Sequence, residues 1–553
     1  MLIRHHFPGI TTSPWIANNP IQPAGPDGLE AYYSSLWSHP ALLRAGGGFP
    51  KIVRADAPRS AESELHLVTL IGAQNAPALA AVLPGERIFI DGLSQDALSP
   101  NGAALPRHAR ITSLKERLAT PAGEFLIPEN LPLGVWTEVP EGWSGMGDRD
   151  GTAFYLFSRD VFLSPVNSAH VDFILRRDKG RTAWNWRYYL AAALSRWLGL
   201  PEEHFAVEPG RERDLRDAFS AFGFHRWVVL KTAEKLGADA ELSSAEAAVM
   251  EAAEDLHGRR WDKAERLLQA GFDGLKERLD ALTGAKRRYF AEAHHGGMLH
   301  EDIGFYEHDW PQMVCDTLRE FMACKGVTAS LDMPANVYRH YRERFPSFFR
   351  ELRLWMEQGR IELVNGMFGQ PLSDSHTLEN LLSQLIEGRR ELRELFGREP
   401  EVFAMEEYSL GPAIPQILEA AGIRKAVHAV RLGGTSKANS PATRLWRGIG
   451  NGSVECIEHP DVGHPGLSTT YFLQLPETLA QSGRLRRNEL HLFNLPDFGW
   501  NVLFRDEVFA GLQFGPILFE MVTFQKLFRL LPKKADEAQG HWEDTYQDRK
   551  SVV

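Results

Sequence analysis

Three cysteines in 553 residues, Cys315, Cys324 and Cys456, are too few and too irregularly spaced for a disulfide framework or a Cys-x-x-Cys metal knuckle. They read as reduced thiols. A basic excess is missing too. The net charge is −11, and Lys and Arg are mixed with acids in stretches such as RRELRELFGREPE. Binding a phosphate backbone needs a basic face, so nucleic acid is not an expected partner. No apolar run reaches the roughly 20 residues that span a bilayer, and the opening MLIRHHFPGITTSPW has no signal-type apolar core. A cytoplasmic protein without a membrane partner is expected.

What is present is the balance of a globular protein, with 43% hydrophobic and 24% charged residues. The length calls for more than one domain. Residues 1–185 carry short apolar runs (LHLVTLIG, ERIFIDGL, TAFYLFS, HVDFILR) between Pro/Gly-rich stretches, and predict a mixed or β domain. Residues 186–285 turn helical: WRYYLAAALSRWLGL stops at Gly-Leu-Pro, and the segment from SSAEAAVM to LDALTG has apolar residues at helical spacing.

From 286 to 530 the texture changes again. RRYFAEAH, GVTASLDMP, RIELVNGMFG, EVFAMEEYSLG, KAVHAV, SVECIEHP and ELHLFNLPDFGWN are seven strand candidates. Between the earlier ones lie amphipathic helices. One has Phe348, Leu352, Trp355 and Met356 on a face; another has Leu378, Leu381, Leu382, Leu385, Leu392 and Leu395 on a stripe. Such alternation predicts a parallel sheet with helices outside, closed as a barrel or doubly wound. In both architectures chemistry gathers at the carboxyl ends of the strands. Residues 531–553 form a polar tail.

Reactive residues cluster at those ends. They are His294, His295, His300 and Asp302; Asp332; Asn365 and Gln370; Glu406 and Glu407; His428; His459, Asp461 and His464; and His491 and Asp497. Aromatics flank them: Phe305, Trp310, Phe368, Tyr408, Phe498 and Trp500. Carboxylates beside ring faces suit a carbohydrate substrate, whose CH faces pack on rings while its hydroxyls need polar partners. In His300-x-Asp302, with Gly304 to tighten the turn, both side chains can reach one cation.

Residues from about 286 to 500, two fifths of the chain, resemble the catalytic domain of glycoside hydrolase family 38, the α-mannosidases. They are also similar to family 57, the α-glucan-active enzymes. The resemblance rests on His300-Glu301-Asp302-Ile303-Gly304-Phe305, on Gly359-Arg360-Ile361-Glu362, and on Gln384-x-x-x-Gly388. It continues through Phe396 to Pro400 and into the strand that ends at Glu406, nine residues before Pro415. Family 38 has Asp at that strand end; a glutamate there agrees with family 57. Met298 stands where family 38 has a further histidine before its His-x-Asp unit.

The resemblance implies a (β/α)7 barrel and a retaining glycoside hydrolase. Glu406 would be the nucleophile, and Asp497, or second to it Asp461, the acid. Phe305, Trp310, Phe368, Glu407 and Tyr408 would touch the sugar. Zinc, if bound, would take His300, Asp302 and Glu406, with His491 or His464 as a fourth ligand. Metal-dependent sugar deacetylation and a non-catalytic carbohydrate-binding barrel stand as alternatives. A homo-oligomer is left open.

Overall fold

A computed structural model of the chain describes strands at 2–6, 51–54, 64–69, 87–91 and 124–126 and part of 27–50. It then describes residues 211–295, 310–371, 376–404, 413–429, 443–448, 452–459, 471–486, 488–495 and 504–531. The expected runs TAFYLFS, HVDFILR and WRYYLAAALSRWLGL lie outside these residues.

The first elements are β1 (Leu2–His6), α1 (Pro40–Gly46), β2 (Lys51–Arg54), β3 (Glu64–Thr69), β4 (Arg87–Asp91) and β5 (Glu124–Leu126). The five strands form one sheet in the order β2-β1-β3-β4-β5, and every pair is parallel. The expected β or mixed domain is thus a parallel sheet. The Pro/Gly-rich stretches between the runs connect parallel neighbours, which a tight hairpin cannot do.

Three helices follow, α2 (Arg211–Leu236), α3 (Ser243–His257) and α4 (Trp261–Thr283). Then come β6 (Arg287–His295), α5 (Trp310–Ala323), β7 (Ala329–Asp332), α6 (Ala335–Arg344), α7 (Pro346–Glu357) and β8 (Ile361–Leu363). Next are α8 (Leu378–Phe396), β9 (Val402–Ala404), α9 (Ile414–Ala420), β10 (Lys425–Ala429), β11 (Arg444–Arg447) and β12 (Ser453–His459). The chain continues through α10 (Leu475–Arg484), β13 (Glu489–Asn494), α11 (Arg505–Leu512), β14 (Glu520–Met521) and α12 (Phe524–Leu530). Among the described residues no helix is long and apolar enough to cross a membrane.

Two compact units result. The first takes Met1–Thr283, Phe472–Leu485 and Leu503–Ile517; the second takes Gly284–Tyr471, Arg486–Val502 and Leu518–Val553. Helices α10 and α11, late in the sequence, therefore belong to the first unit. Their seats are aromatic and close-fitting. Phe224 of α2 stacks on Phe504 with centroids 4.7 Å apart, and Phe272 of α4 stacks on Phe514 at 4.6 Å. Gly511 lies so close to the His225 ring that a methyl there would overlap it.

In the second unit all seven expected strands are present. Strand pairing runs β13-β6-β7-β8 and β9-β10-β12-β11, with β14 on β6. The amide of Ala404 donates to the carbonyl of Val364, joining the end of β9 to the residue after β8. Every pairing is parallel except β11 with β12. Strands β12 and β13 share no ladder among the described residues.

Side chains alternate across the strands, and two buried clusters separate the faces. Tyr289, Ala291, Ala293, Val364, Val402, Ala404, Val427 and Ile457 lie on the inner face. Phe403, Ala426, Val454 and Cys456 point the other way, into α8 and α9. Inside, the strands meet Phe524, Leu527, Phe528 and Leu531 of the α12 segment. The Lys425 ammonium, at the start of β10, sits 5.9 Å from the Phe528 ring, so α12 fills the amino-terminal side of the interior.

Helix α8 is capped by Thr377, whose hydroxyl accepts from the Asn380 amide at 3.3 Å, and stopped by Gly397 at φ 67°. Its apolar stripe is narrower than expected. Leu381, Leu385, Leu392 and Leu395 are buried, but Leu378 is 45% and Leu382 38% exposed. Those two lie round the helix from the line that meets the sheet.

Candidate active site

The best-defined strand end is that of β8. Asn365 and Asp332 are both buried, and the Asn365 amide donates to Asp332 Oδ1 at 2.8 Å. Asn365 Oδ1 in turn accepts from the Met367 amide at 2.9 Å, which orients the side-chain nitrogen toward the carboxylate. Between them Gly366 turns the chain at φ 110°, a conformation that favours glycine.

Two helices grip this turn. The amides of Ala335 and Asn336, at the start of α6, donate to the carbonyls of Met367 and Phe368 at 2.9 and 3.0 Å. From α8, Gln384 uses its backbone carbonyl for the Phe368 amide and its side-chain oxygen for the Gly369 amide, at 2.9 and 2.8 Å. A methyl on Gly388 would overlap the backbone of Gly366, Met367 and Phe368. The Gln-x-x-x-Gly spacing therefore places an acceptor and a gap one turn apart on the same helix face. Phe368, half-buried at this turn, lies 5.1 Å from the Arg339 guanidinium.

The Gly-Arg-x-Glu spacing is explained by the same strand. Arg360 donates to the carbonyls of Met322, Cys324 and Val327 at 2.7, 2.9 and 3.2 Å, fixing the start of β8 to the turn after α5. Glu362 faces inward and receives the start of α12. It accepts from the Gln525 amide at 3.1 Å and from the Ser330 hydroxyl at 3.0 Å, while Ser330 Oγ also takes the Phe524 amide at 3.4 Å. Burial pushes the Glu362 carboxyl up to about 7, against the lowering effect of these donors.

The other sequence candidates are distributed as follows. His295 ends β6 in register with Asp332. Trp310 opens α5. His491 lies within β13, in register with Tyr289, and its ring stacks on that tyrosine at 5.7 Å. His300, Asp302, Phe305, Glu406, Glu407, Tyr408, Asp461, His464 and Asp497 lie outside the described residues. Among the described residues no three His, Cys, Asp or Glu converge to hold a metal. The sequence reading passed over Glu292 and Asn494, both fully buried. For Asn494 the signal was a polar residue on the same face of β13 as Leu490 and Leu492.

The second unit is thus a mixed α/β unit on a largely parallel strand arrangement, with an apolar inner face and polar residues at its carboxyl ends. Residues 286–428, from β6 to β10, match the model of Glycosyl hydrolase family 57. That stretch contains His300, Asp302 and Glu406 but not Asp461, His464, His491 or Asp497. No curated protein matches the chain.

Three solved structures are similar to part of the chain. A 4-alpha-glucanotransferase from Thermococcus litoralis is 15% identical, with TM-score 0.35, over 44% of this chain and 40% of that one. An alpha-mannosidase from Enterococcus faecalis is 11% identical, with TM-score 0.34, over 44% and 29%. A probable polysaccharide deacetylase from Pseudomonas aeruginosa is 12% identical, with TM-score 0.33, over 44% and 90%. The chain thus spans well under half the length of the first two.

Proposed function

We propose that the second unit is a carbohydrate-active enzyme of the family 57 kind, which cleaves or transfers α-glucosidic bonds by a retaining mechanism. Glu406 attacks the anomeric carbon. Asp497, with Asp461 as the second choice, protonates the leaving oxygen and then activates water or an acceptor hydroxyl. The observation that carries this reading is the family 57 match over residues 286–428, which include the glutamate after β9. The inward apolar barrel face and the braced turn after β8 support it, because a retaining pair must be held roughly 5 Å apart by rigid elements.

The test is to incubate the purified chain with α-1,4-glucan oligosaccharides and with the nitrophenyl α-glucoside and α-mannoside. A fluoro-sugar inhibitor serves as a label. Redistribution or shortening of the glucans, with a covalent adduct on Glu406, is the expected result. Turnover of the α-mannoside alone would move the assignment to the family 38 chemistry. Acetate released from an acetylated sugar would support deacetylation. Sugar binding without turnover, unchanged in Glu406→Gln, would mark a non-catalytic barrel.

Zinc belongs to the mannosidase form of this reading, with His300, Asp302 and Glu406 as ligands. His464 or His491 would be the fourth, since the stacking of His491 on Tyr289 engages the ring face rather than the in-plane nitrogens. Metal analysis of the purified protein decides the point.

A further inference from the structure

The first unit carries an arrangement that the proposed reaction does not use. Its sheet has the order β2-β1-β3-β4-β5, and every ladder in it is parallel. The strand that follows β1 in sequence is β2, on one flank of β1, whereas the strand that follows β3 is β4, on the far flank of β3. The winding direction therefore reverses between β1 and β3. In open parallel sheets of this order, ligands bind in the crevice outside the carboxyl ends of the two strands at the reversal, where the chain leaving each strand heads away from the gap.

Register fixes which residues share that edge. On one side His5 pairs with Arg54, the last residue of β2, and β1 ends at the next residue, His6. Across the gap His6 pairs with Val68, and β3 ends one residue later at Thr69. Thr69 pairs in turn with Asp91, the last residue of β4. The carboxyl edge thus reads Arg54, His6, Thr69, Asp91 across four adjacent strands. It is graded, with a cation and an imidazole on one side of the gap, and a hydroxyl and a carboxylate on the other. Neighbouring strands lie about 4.8 Å apart, so the ends of β2 and β4 stand roughly 14 Å from each other.

We infer that the β1/β3 gap of the first unit is a binding site for a phosphate ester of a hydroxylated ring, the chemistry that nucleotides and sugar phosphates share. Arg54 and His6 stand at the phosphate end, since a guanidinium fork matches phosphate oxygens and an imidazole adds a donor beside it. Asp91 stands at the ring end, where a carboxylate accepts from hydroxyls and would repel a phosphate. Three strand steps are too wide for a lone phosphate ion to meet both ends, and suit a phosphate joined to a ring. The site does not depend on the roles given to Glu406 and Asp497 in the second unit.

The test titrates the full chain calorimetrically with ADP, glucose 1-phosphate, inorganic phosphate and glucose. One of the two esters is expected to bind at least about 10-fold tighter than phosphate or glucose alone, and which one does so identifies the source. Arg54→Gln and His6→Gln should each weaken that ester about 10- to 100-fold with the melting temperature unchanged. Asp91→Asn should narrow the gap between the ester and inorganic phosphate. Arg87→Gln, at the amino end of β4, should leave binding as it is. A measurement on the wild type needs no variant to fold: the ester should slow amide exchange in β1 and β3. Inorganic phosphate binding as tightly as both esters would reduce the gap to a bare anion site and overturn the proposal. So would the absence of ester binding below about 1 mM, equal losses in Arg54→Gln and Arg87→Gln, or slowed exchange confined to the second unit.

Discussion

The carboxylate of Glu362 accepts a hydrogen bond from the backbone amide of Gln525 at 3.1 Å, tying the middle of β8 to the first turn of α12. The same carboxylate faces Ser330, and Glu401 adds charge repulsion to the burial that raises its pKa from 4.5 to about 7. A carboxyl whose folded pKa is raised binds its proton more tightly in the folded state. Its contribution is complete below about 4.5 and is lost as pH rises through about 7. A rise of that size corresponds to on the order of 3 kcal/mol. Glu362→Gln keeps an acceptor for the Gln525 amide without the ionisation. The variant should flatten the decline in stability between about pH 4.5 and about pH 7, read by denaturant melts at each pH. An unchanged slope would refute the assignment.

His225 has the opposite sign. It is fully buried between Phe224 and Phe272, and burial lowers its pKa from 6.5 to about 4, although its Nδ1 contacts the Ala221 carbonyl at 2.7 Å. The unfolded chain binds the proton first, so the first unit loses stability as pH falls from about 6.5 toward about 4. His225→Gln should remove that acid-side loss, visible as a smaller drop in melting temperature between pH 7 and pH 5. Gly511→Ala, which forces a methyl onto the ring, should cost about 1–3 kcal/mol at any pH.

How much of this was legible in the sequence depends on how local the cause is. Seven of the nine strands in the second unit could be read because each is an apolar run bounded by turn residues, and their parallel order followed from the helices between the earlier ones; the short β11 and β14 were not read. The direction of the first five strands could not be read, since it is set by the connections and not by the runs. Phe524, Leu527, Phe528 and Leu531 have helical spacing, but their place against the inner strand face depends on Ser330 and Glu362, well over a hundred residues away. The α8 stripe was read too wide because periodicity gives a helix face but not the width of the groove that receives it. At the site, most of the residues expected at strand ends lie outside the described residues. The buried pair of Glu292 and Asn494 was not foreseen, because burial of both partners appears only once β13 lies beside β6.

Gly388 allows α8 to approach the turn after β8 closely enough for Gln384 to bond both Phe368 and Gly369. Gly388→Ala improves intrinsic helix propensity by up to about 1 kcal/mol, yet its methyl would overlap backbone that two helices hold in place. The net effect should be destabilisation by about 1–3 kcal/mol. Gln384→Leu should cost about 1 kcal/mol through the lost acceptor for Gly369. In both variants sugar affinity should fall more than stability predicts, measured by calorimetric titration beside a thermal melt.

Asn365 offers a sharper test of the strand-end pair, because one side chain is both donor to Asp332 and acceptor from Met367. Asn365→Asp keeps the size and the acceptor but sets a second carboxylate against Asp332 in a buried place. Two such groups cannot both ionise cheaply, so one of them must take a proton. The variant should be destabilised by about 2–4 kcal/mol at pH 8 and by clearly less at pH 4, where protonation restores a hydrogen bond. Asn365→Ala, which introduces no charge, should lose stability by a similar amount at both pH values. Equal losses for Asn365→Asp at pH 4 and pH 8 would mean that the side chain at position 365 does not face the Asp332 carboxylate.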